Sequence, residues 1–496
     1  MLATARTFAL LGIEARPVEV EVDVHRGLPA FQIVGLPDAA VRESRERVRA
    51  ALVNSGFEFP MQRITANLAP ADLRKVGPGF DLAIAAALLA ASGQLPRGAL
   101  DRFALAGELA LDGVIRPAPG ALAMAEGARA DGLGGIVVAE RDAQEAALAG
   151  GLEVVPLSRL DQLPRLEDEL PRALPPQASR NGLPPLPDIA DLRGQPALRR
   201  ALEIAAAGGH NLLMVGPPGA GKTLAAMRLP SILPPLGRAE ALEATRIAGA
   251  TGRGVRGLVT RRPFRAPHHT VSSAGLVGGG SPPRAGEVTL AHRGVLFLDE
   301  LSEFSRSALE ALRQPLEEGR VTIARATRTL SFPCRFTLIA AANPCPCGRG
   351  PDSGDCECTP GAIRGYNAKL SGALADRIDL QLHVAQPDSD ALAGDGGEGS
   401  DAVRSRVEAA RERMAGRLGG GRSNAEMSAA ETKSCHLSSD GRALLAGGRA
   451  RLALSGRGWD RTLRVARTIA DLDAAEEIGA VHVAEALTYR RRGEHP

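Results

Sequence analysis

The chain has 496 residues, of which 44% are hydrophobic and 24% charged, and these are ordinary values for a globular protein. At about 150 residues per domain, this length suggests roughly three domains. The formal net charge is only +3, so the overall charge gives no strong indication of nucleic-acid binding. Any nucleic-acid site must therefore be a local cluster of basic residues.

The longest charge-free apolar stretch, Leu82 to Ala91, has about half the length of a membrane span. The first residues also lack the charged and then apolar pattern of a secretory signal. We therefore expect a cytoplasmic protein without a membrane partner.

Residues 1–162 alternate strand-like and helix-like segments. Val18 to Val24 alternates with period two, and Asp38 to Ser55 has amphipathic helical spacing behind an acidic cap. This pattern predicts a mixed α/β domain. Residues 163–187 are rich in proline with polar residues between, which predicts a semi-rigid linker.

A strand-like apolar run at 211–215 leads into a phosphate-loop motif. The motif G-x-x-x-x-G-K-[ST] is matched by Gly216, Pro217, Pro218, Gly219, Ala220, Gly221, Lys222 and Thr223, and a helix-favouring segment follows. Backbone amides of such a loop turn toward nucleotide phosphates at a helix N-terminus. Lys222 then places its ammonium on the phosphate oxygens, and Thr223 offers a hydroxyl to Mg²⁺. The predicted cofactors are therefore ATP and Mg²⁺, held by a P-loop core over residues 188–390.

A second apolar run, Val295 to Leu298, ends in two acidic residues. It predicts a buried parallel strand that delivers Asp299 to the metal and Glu300 to an attacking water at its carboxyl end. A carboxylate pair at a strand end is often only a helix N-cap. Because a phosphate-loop motif precedes this pair in the sequence, we favour the roles in metal binding and water activation over the N-cap.

A third strand is predicted at 336–341 and is followed by Asn343. In P-loop machines a polar residue at this place orients the lytic water, which is the role we expect for Asn343. The alternative is a strand-end asparagine that makes a turn. A fourth strand is predicted at 378–384.

A linker rich in Gly and Asp follows at 388–400. Beyond it, a small all-α lid is predicted over residues 401–496. Its helices are expected at 401–417, 437–453, 459–474 and 479–489.

The order of these motifs resembles the AAA+ superfamily, and several segments resemble its magnesium-chelatase-like branch, the YifB/ComM family. The segments that carry the resemblance are Arg265 to Thr270, Gly294 to Leu301, Ala342 to Gly348 and Ala466 to Leu472. The resemblance covers nearly the whole chain. It implies a ring, commonly a hexamer, in which ATP lies between subunits.

The resemblance also implies catalytic arginines. Arg377, at a helix end just before a strand, resembles an arginine finger, which in related GTPases is worth about 10³–10⁵ in rate. The alternative is a salt bridge from Arg377 to a carboxylate such as Asp379. Arg464 is the best match to the sensor-2 arginine that reaches the γ-phosphate, and Arg461 lies one turn away and is able to share that role. Plain solvation of the helix is the alternative for either residue.

Residues 246–293 are rich in Gly, Arg and His, which indicates an insertion. The resemblance suggests an insert that projects into the ring pore. Its candidate contacts to a phosphate backbone are Arg262, Arg265, His268 and His269. A solvated basic loop is the alternative, and a metal site at the two adjacent histidines is disfavoured.

Gly319 to Leu330 alternates like a hairpin whose tip lies near Arg325 to Arg328. In related helicases a hairpin at this place tracks nucleic acid through the pore. A solvated basic turn is the alternative.

Two close thiol pairs lie within residues 343–360. They are formed by Cys345, Cys347, Cys356 and Cys358. Four thiolates close a tetrahedral structural zinc site, and a cytoplasmic protein keeps such thiols reduced. Zinc is favoured over free thiols and over a disulfide or redox role.

The N-terminal domain resembles in fold the proteolytic domain of Lon-type proteases, a ribosomal S5 domain 2-like α/β fold. Lys75 to Asp81 resembles the segment that carries their serine, and Gly107 to Leu122 the segment that carries their lysine. Gly79 and Leu122 occupy those two places, so no nucleophile is paired with a base. We expect a binding or assembly domain.

The leading hypothesis is an ATP-driven ring motor on branched or single-stranded DNA, like the family's branch-migration helicases in recombination and natural transformation. Its principal rival is a chelatase-type remodeller. The sequence has no recognisable porphyrin-binding or metal-adhesion domain after the lid, which argues against that rival. The missing dyad argues against an ATP-dependent protease, and a nucleotide-gated scaffold remains open.

Overall fold

The computed structural model describes residues 1–96, 98–166, 170–176, 184–252, 257–280, 283–325, 328–351, 354–370, 374, 377–390 and 396–490. The chain divides into two compact units. Unit 1 comprises Met1–Asn181 and Gly237–Thr260, and unit 2 comprises Gly182–Leu236 and Arg261–Pro496.

Strands and helices alternate along the chain. The strands are β1 (Leu2–Leu11), β2 (Glu14–His25), β3 (Ala30–Val34), β4 (Arg63–Ala69), β5 (Phe103–Ala106), β6 (Glu108–Leu109), β7 (Ile115–Arg116), β8 (Gly135–Ala139), β9 (Glu153–Leu157), β10 (Leu212–Val215), β11 (Phe264–Arg265), β12 (Gly278–Gly279), β13 (Arg284–Ala285), β14 (Val295–Leu298), β15 (Arg320–Arg325), β16 (Arg328–Pro333), β17 (Thr337–Ala342) and β18 (Leu380–His383). The helices are α1 (Ala39–Asn54), α2 (Asp81–Ala91), α3 (Ala121–Ala130), α4 (Ala143–Ala147), α5 (Pro196–Gly208), α6 (Lys222–Ile232), α7 (Arg238–Ala250), α8 (Ser273–Val277), α9 (Glu287–Leu290), α10 (Arg306–Ala311), α11 (Arg313–Glu318), α12 (Pro360–Leu370), α13 (Ser400–Leu418), α14 (Ala429–Lys433), α15 (Ser439–Arg451), α16 (Gly456–Leu472) and α17 (Ala480–Thr488).

Unit 1 is built on a seven-stranded mixed sheet in the order β3-β4-β2-β1-β5-β8-β9. The strands β1, β2 and β4 pair antiparallel, and β5, β8 and β9 extend the sheet in parallel. Buried and more exposed residues alternate along β2, which confirms the predicted period-two strand. The sheet packs against α2, an almost entirely buried helix.

The predicted amphipathic helix after Asp38 is confirmed as α1. Oδ1 of Asp38 accepts a hydrogen bond from the Val41 backbone amide (2.9 Å), so the acidic cap satisfies one of the free amides of the first turn. The buried face includes Val41, Val48 and Leu52, which follow helical spacing.

Residues 237–260 belong to unit 1, although the sequence places them inside the 188–390 segment. Their helix α7 packs on α3, where Leu242 joins the apolar cluster of α3 and α4. Arg246 adds an ion pair with Glu126, with Nε and Oε2 2.7 Å apart. The apolar face of α7 is therefore covered by the N-terminal part of the chain.

Unit 2 contains a five-stranded sheet in the order β11-β14-β17-β10-β18, with every pair parallel. The four strands predicted for this part of the chain are confirmed as β10, β14, β17 and β18. Because parallel strands end at one edge, the residues that follow β10, β14 and β17 lie side by side. The mixed α/β class is thus confirmed, with a parallel sheet of the kind that P-loop domains use.

The four helices predicted after residue 400 are present as α13, α15, α16 and α17. A short fifth helix, α14, was not predicted. It is set by a local capping box, in which Ser428 and Glu431 bond each other's backbone amides (2.7 and 3.2 Å). Five residues are too few for periodicity to show.

The predicted hairpin is confirmed by the antiparallel pair β15 and β16, in which Arg325 lies opposite Arg328. Val321, Leu330 and Phe332 are buried on one side of it. The side chains at the tip, 325–328, lie outside the described residues. Of the helices described, none combines the length and apolar character that a bilayer span requires.

Candidate functional site

The phosphate-loop motif joins the carboxyl end of β10 to the N-terminus of α6. Gly219 and Gly221 have φ angles of 80° and 87°, a region that residues with side chains rarely adopt. At Gly216, a Cβ atom would lie 2.2 Å from the Val384 carbonyl oxygen, so the backbone at Val384 leaves room only for glycine. The loop presents its amides at a helix N-terminus, an arrangement that binds phosphate.

The ammonium group of Lys222 lies within this loop. The residue is only 8% exposed. Its Nζ donates hydrogen bonds to the carbonyl oxygens of Gly216 (2.6 Å) and Pro217 (2.8 Å) and to Oδ1 of Asn343 (3.2 Å). Burial lowers the pKa of Lys222, and the charge of Asp299 opposes that shift. The cation is thus held beside the predicted water-orienting amide.

Thr223 and Asp299 also meet at this edge of the sheet. Oγ1 of Thr223 donates a hydrogen bond to Oδ2 of Asp299 (2.7 Å), and both groups are exposed. A hydroxyl and a carboxylate are oxygen ligands of the kind that Mg²⁺ takes, usually together with substrate phosphates. The residues therefore fit the expected magnesium ion.

Glu300 follows Asp299 in a left-handed backbone conformation, with φ and ψ both 50°. Such a conformation costs a non-glycine residue about 1–3 kcal/mol and is concentrated at functional sites. The Glu300 amide donates to Oδ1 of Asp299 (3.0 Å), which stabilises this turn. Its side chain is 56% exposed, with Oε2 3.4 Å from Nδ1 of His269. His269, predicted to face DNA, is therefore a neighbour of the acidic residue.

Arg262 and Arg265 are engaged inside unit 2. Arg262 donates to the carbonyl oxygens of Pro234 (2.7 Å) and Arg293 (2.8 Å). Arg265 forms a bidentate ion pair with Glu287 (2.6 and 2.9 Å). These contacts favour a structural role for both arginines over the predicted contact with DNA.

Arg377 lies at the other end of the sheet from the phosphate loop. Its carbonyl oxygen accepts a hydrogen bond from Nδ2 of Asn211, the residue before β10 (3.1 Å). Its guanidinium is 5% exposed and forms an ion pair with Glu317. Asp379, named above as a partner for Arg377, instead pairs with Arg461 at 2.7 Å.

The two lid arginines have different partners. Burial opposes ionisation of Asp379, but His210, whose Nδ1 lies 3.6 Å from Oδ2, and the charge of Arg461 hold the pKa of Asp379 below its usual range. Arg464 donates to Oγ1 of Thr432 and to the Ala425 carbonyl oxygen (both 3.1 Å). In this structure Arg461 bonds Arg377 and Asp379 at the end of the sheet, and Arg464 bonds Thr432 and Ala425; among the described contacts, neither arginine bonds the phosphate loop.

The four predicted cysteines converge between β17 and α12. All four are free thiols, and their sulfur atoms lie within 4.8 Å of one another. Sγ of Cys345 is 3.3 Å from that of Cys347 and 3.7 Å from that of Cys356. Four thiolates around zinc, with bonds of about 2.3 Å, stand about 3.8 Å apart at the corners of a tetrahedron. Donor type and spacing fit a structural zinc ion.

Three family models match successive parts of the chain. They are described as magnesium chelatase subunit ChlI (residues 188–392), subunit ChlI of Mg-chelatase (residues 20–142) and magnesium chelatase subunit ChlI C-terminal (residues 397–490). The protein YifB of Escherichia coli is 44% identical over 99% of this chain and 97% of its own length. The competence protein ComM of Haemophilus influenzae is 41% identical over 99% of this chain and 97% of its own length.

The chain belongs to the magnesium-chelatase-like YifB/ComM family. A shorter match, 35% identical over 101 residues, is to a DNA replication licensing factor of Gallus gallus and covers 20% of this chain and 12% of that protein. Membership of this AAA+ family indicates ATPase activity, which agrees with the phosphate loop and the acidic strand end.

The sequence analysis did not identify Gln195, whose side chain contacts the phosphate loop of this member of the YifB/ComM family. Nε2 of Gln195 donates to the carbonyl oxygens of Ala220 in the loop (3.2 Å) and Ala385 after β18 (2.7 Å). A cavity of about 370 Å³ adjoins it, with walls that include Ile189, Leu192, Gln195, Arg199, Glu398 and Val403. No spacing rule reveals this link, because its partners are 25 and 190 residues away in sequence.

Proposed function

We propose that the protein is an ATP-hydrolysing AAA+ ring motor that acts on DNA, as a branch-migration helicase in recombination or natural transformation. The observation that carries the proposal is the convergence of Lys222, Asp299 and Asn343 at the ends of three adjacent parallel strands. Full-length similarity to a competence protein supports an action on DNA. The short similarity to a replication licensing factor supports it further.

The hydrolytic roles follow from these contacts. Lys222 and the loop amides hold the triphosphate, and Thr223 and Asp299 hold Mg²⁺. Magnesium, when bound, neutralises phosphate charge during transfer. Glu300 accepts the proton of the attacking water, and Asn343 orients that water.

A ring, in this proposal a hexamer, explains Arg377. The length of β10 separates this residue from the phosphate loop of its own chain, which supports a role at the nucleotide of a neighbouring subunit. The guanidinium reaches that nucleotide only when its ion pair with Glu317 breaks. The sensor role of Arg464 likewise requires release from Thr432 and Ala425.

DNA contact is assigned to the hairpin β15 and β16. Its two strands pair along their whole length, which gives a stiff arm with arginines at the tip. Phosphate contacts from such arginines position DNA without reading its sequence.

The N-terminal domain, residues 1–162, serves binding or assembly in this proposal, with a Lon-like fold that lacks the dyad. Leu122 is fully buried, and at Gly79 a Cβ would lie 3.2 Å from that of Ala118. Neither place offers a nucleophile or a base. Residues 163–187 link this domain to the ATPase core, 188–390, which the lid, 401–496, follows. Structural zinc in the four-cysteine cluster completes the assignment.

A chelatase-type or protein-remodelling ATPase is the second candidate. It is favoured by one observation, that all three matching family models are named for a magnesium chelatase subunit. The two functions share the ATPase and differ in the response to DNA.

DNA-stimulated hydrolysis separates them. We expect branched or single-stranded DNA to raise the ATPase rate of the wild type, with a steep decrease as salt rises because phosphate contacts release counterions. Arg325→Ala/Arg328→Ala should lose this stimulation and keep the basal rate. Arg306→Ala, which removes a surface arginine that is 90% exposed, is the matched control. An active ATPase that does not respond to DNA would favour the remodelling function.

A further inference from the structure

The four-cysteine cluster is attached directly to the predicted catalytic amide. Only Pro344 separates Asn343 from Cys345, and Cys345 is fully buried. The Gly350 amide donates a hydrogen bond to Sγ of Cys345 (3.2 Å), which turns the chain back at once. A shift of Cys345 therefore moves Asn343 with it.

The cysteine loop also packs against the phosphate loop. Gly348 has a φ of 81°, and a Cβ atom placed there would lie 3.0 Å from Cδ and Cγ of Pro218. The same position is 4.0 Å from Nδ2 of Asn343. The backbone of the cysteine loop thus covers Pro218 and Asn343 together.

A third contact comes from α12, the helix that follows the cluster. Burial raises the pKa of Tyr366, and the Ser302 side chain and the backbone at Asn343 oppose that shift, so both lie near the Tyr366 hydroxyl. Tyr366 is 9% exposed within the apolar cluster under β14 and β17. The segment after β17 therefore starts at Asn343 and, at Tyr366 of α12, returns to its neighbourhood.

The cysteine loop has little regular secondary structure of its own. Among its described residues, between β17 and α12, there is neither α-helix nor strand, and Cys347 is exposed. Four thiolates without an ion repel one another, whereas zinc coordination supplies folding free energy to segments that lack an apolar core.

We propose that zinc in the Cys345, Cys347, Cys356 and Cys358 cluster braces the phosphate loop and Asn343, so that metal occupancy sets the rate of ATP hydrolysis. The ion is not a catalyst, since four thiolates leave no open coordination position. The inference rests on the proposed ATPase and zinc, and it adds a metal-dependent positioning role for Cys345 and Gly348.

The test combines zinc content with steady-state hydrolysis on the full chain. We expect about one zinc per chain in the wild type, and its loss in Cys347→Ser. In that variant kcat should fall by about tenfold or more, while KM for ATP changes less, because Lys222 and the loop amides remain. Cys435→Ser, a lid cysteine outside the cluster, should keep both the zinc and the rate.

Two further experiments distinguish loss of the zinc brace from unfolding of the protein. Gly348→Ala keeps all four thiols and pushes against Pro218, so it should retain zinc and still lose kcat. A zinc-selective chelator, applied with Mg²⁺ in excess, should slow the folded wild type, and added Zn²⁺ should restore the rate.

The outcomes separate this inference from the function on which it rests. Zinc-free Cys347→Ser or chelated wild type that hydrolyses ATP at the full rate overturns the brace and leaves the ATPase intact. Wild type without zinc overturns the metal site itself. A Lys222→Ala variant that still hydrolyses ATP contradicts the proposed function instead.

Discussion

Nζ of Lys222 donates a hydrogen bond to Oδ1 of Asn343 (3.2 Å), which joins residues 121 positions apart in sequence. They follow β10 and β17, neighbouring strands that run parallel. The ammonium group proposed to bind phosphate and the amide proposed to orient water are therefore fixed relative to each other before nucleotide binds. Preorganisation of this kind spares the active site the cost of reorganisation during the reaction.

Replacement of Asn343 should reduce ATP hydrolysis much more than nucleotide binding. We expect Asn343→Ala to lower kcat by about 10²-fold, as loss of one preorganised polar group does elsewhere. Nucleotide affinity should change little, because Lys222 keeps two carbonyl partners. Phosphate release and equilibrium nucleotide binding measure the two effects. Asn54→Ala, at an exposed asparagine of α1, should behave as the wild type, and an equal loss of affinity and rate in Asn343→Ala would contradict the assigned role.

Glu300 should act as the general base that accepts the proton of the attacking water. Glu300→Gln should bind ATP and hydrolyse it about 10²–10⁴-fold more slowly, because proton transfer contributes that much. His269→Ala should have a smaller effect, since His269 contacts the carboxylate without being essential to it. Single-turnover hydrolysis measures both variants. Near-normal turnover in Glu300→Gln would show that another group takes the proton.

The trans role of Arg377 is tested by mixing subunits. Arg377→Ala and Lys222→Ala should each be inactive alone, and a mixture should recover part of the activity at interfaces that join an intact loop to an intact finger. Glu317→Ala should keep hydrolysis, because it frees the guanidinium. If Arg377 serves only its ion pair with Glu317, Glu317→Ala should fail as Arg377→Ala does, and mixing should restore nothing.

Unit 1 should lose stability as pH rises. Burial raises the pKa of Glu145 to about 7 and that of Asp142 to about 6, although backbone amides of Leu122 and Ala118 oppose the shifts. The folded protein holds these protons more tightly than the unfolded chain, in which the two carboxyls have their ordinary pKa values of 4.5 (Glu145) and 3.8 (Asp142). The contribution of these two carboxyls to the stability of unit 1 is therefore greatest near pH 4 and falls as the pH rises toward 7.

Glu145→Gln should remove much of that dependence. The amide keeps an acceptor for Leu122 and carries no charge, so we expect the variant to be about 1–3 kcal/mol more stable than the wild type at pH 8 and similar at pH 5. Denaturation midpoints at both pH values measure this. Glu140→Gln, at an exposed position, is the control. A variant that is less stable at pH 8 would contradict the argument.

Sequence reasoning succeeded where the physical signal is local. Buried parallel strands are apolar runs, and the phosphate loop has a fixed spacing, so β10, β14 and β17 and the groups that follow them were predictable. The hairpin was predictable from alternation, because one side of it packs on the core.

The remaining contacts depend on distant parts of the chain. Arg377 meets Glu317 across 60 residues, and Gly348 meets Pro218 only because β10 and β17 are neighbours. Arg262 and Arg265 looked free in a basic segment, but carbonyl oxygens and Glu287 hold them. The packing of α7 on α3 was not predictable for the same reason, since periodicity gives an apolar face without identifying the surface that covers it.

The most direct test of a DNA motor is ATP-dependent branch migration of a synthetic four-way junction, with wild type and Lys222→Ala compared at matched oligomer size. The account predicts migration by the wild type and none by Lys222→Ala, because its loop has lost the phosphate-binding cation. An exposed lysine of the lid, Lys433, supplies the control Lys433→Ala, which should migrate the junction as the wild type does. A wild type that hydrolyses ATP and moves no junction would contradict the account.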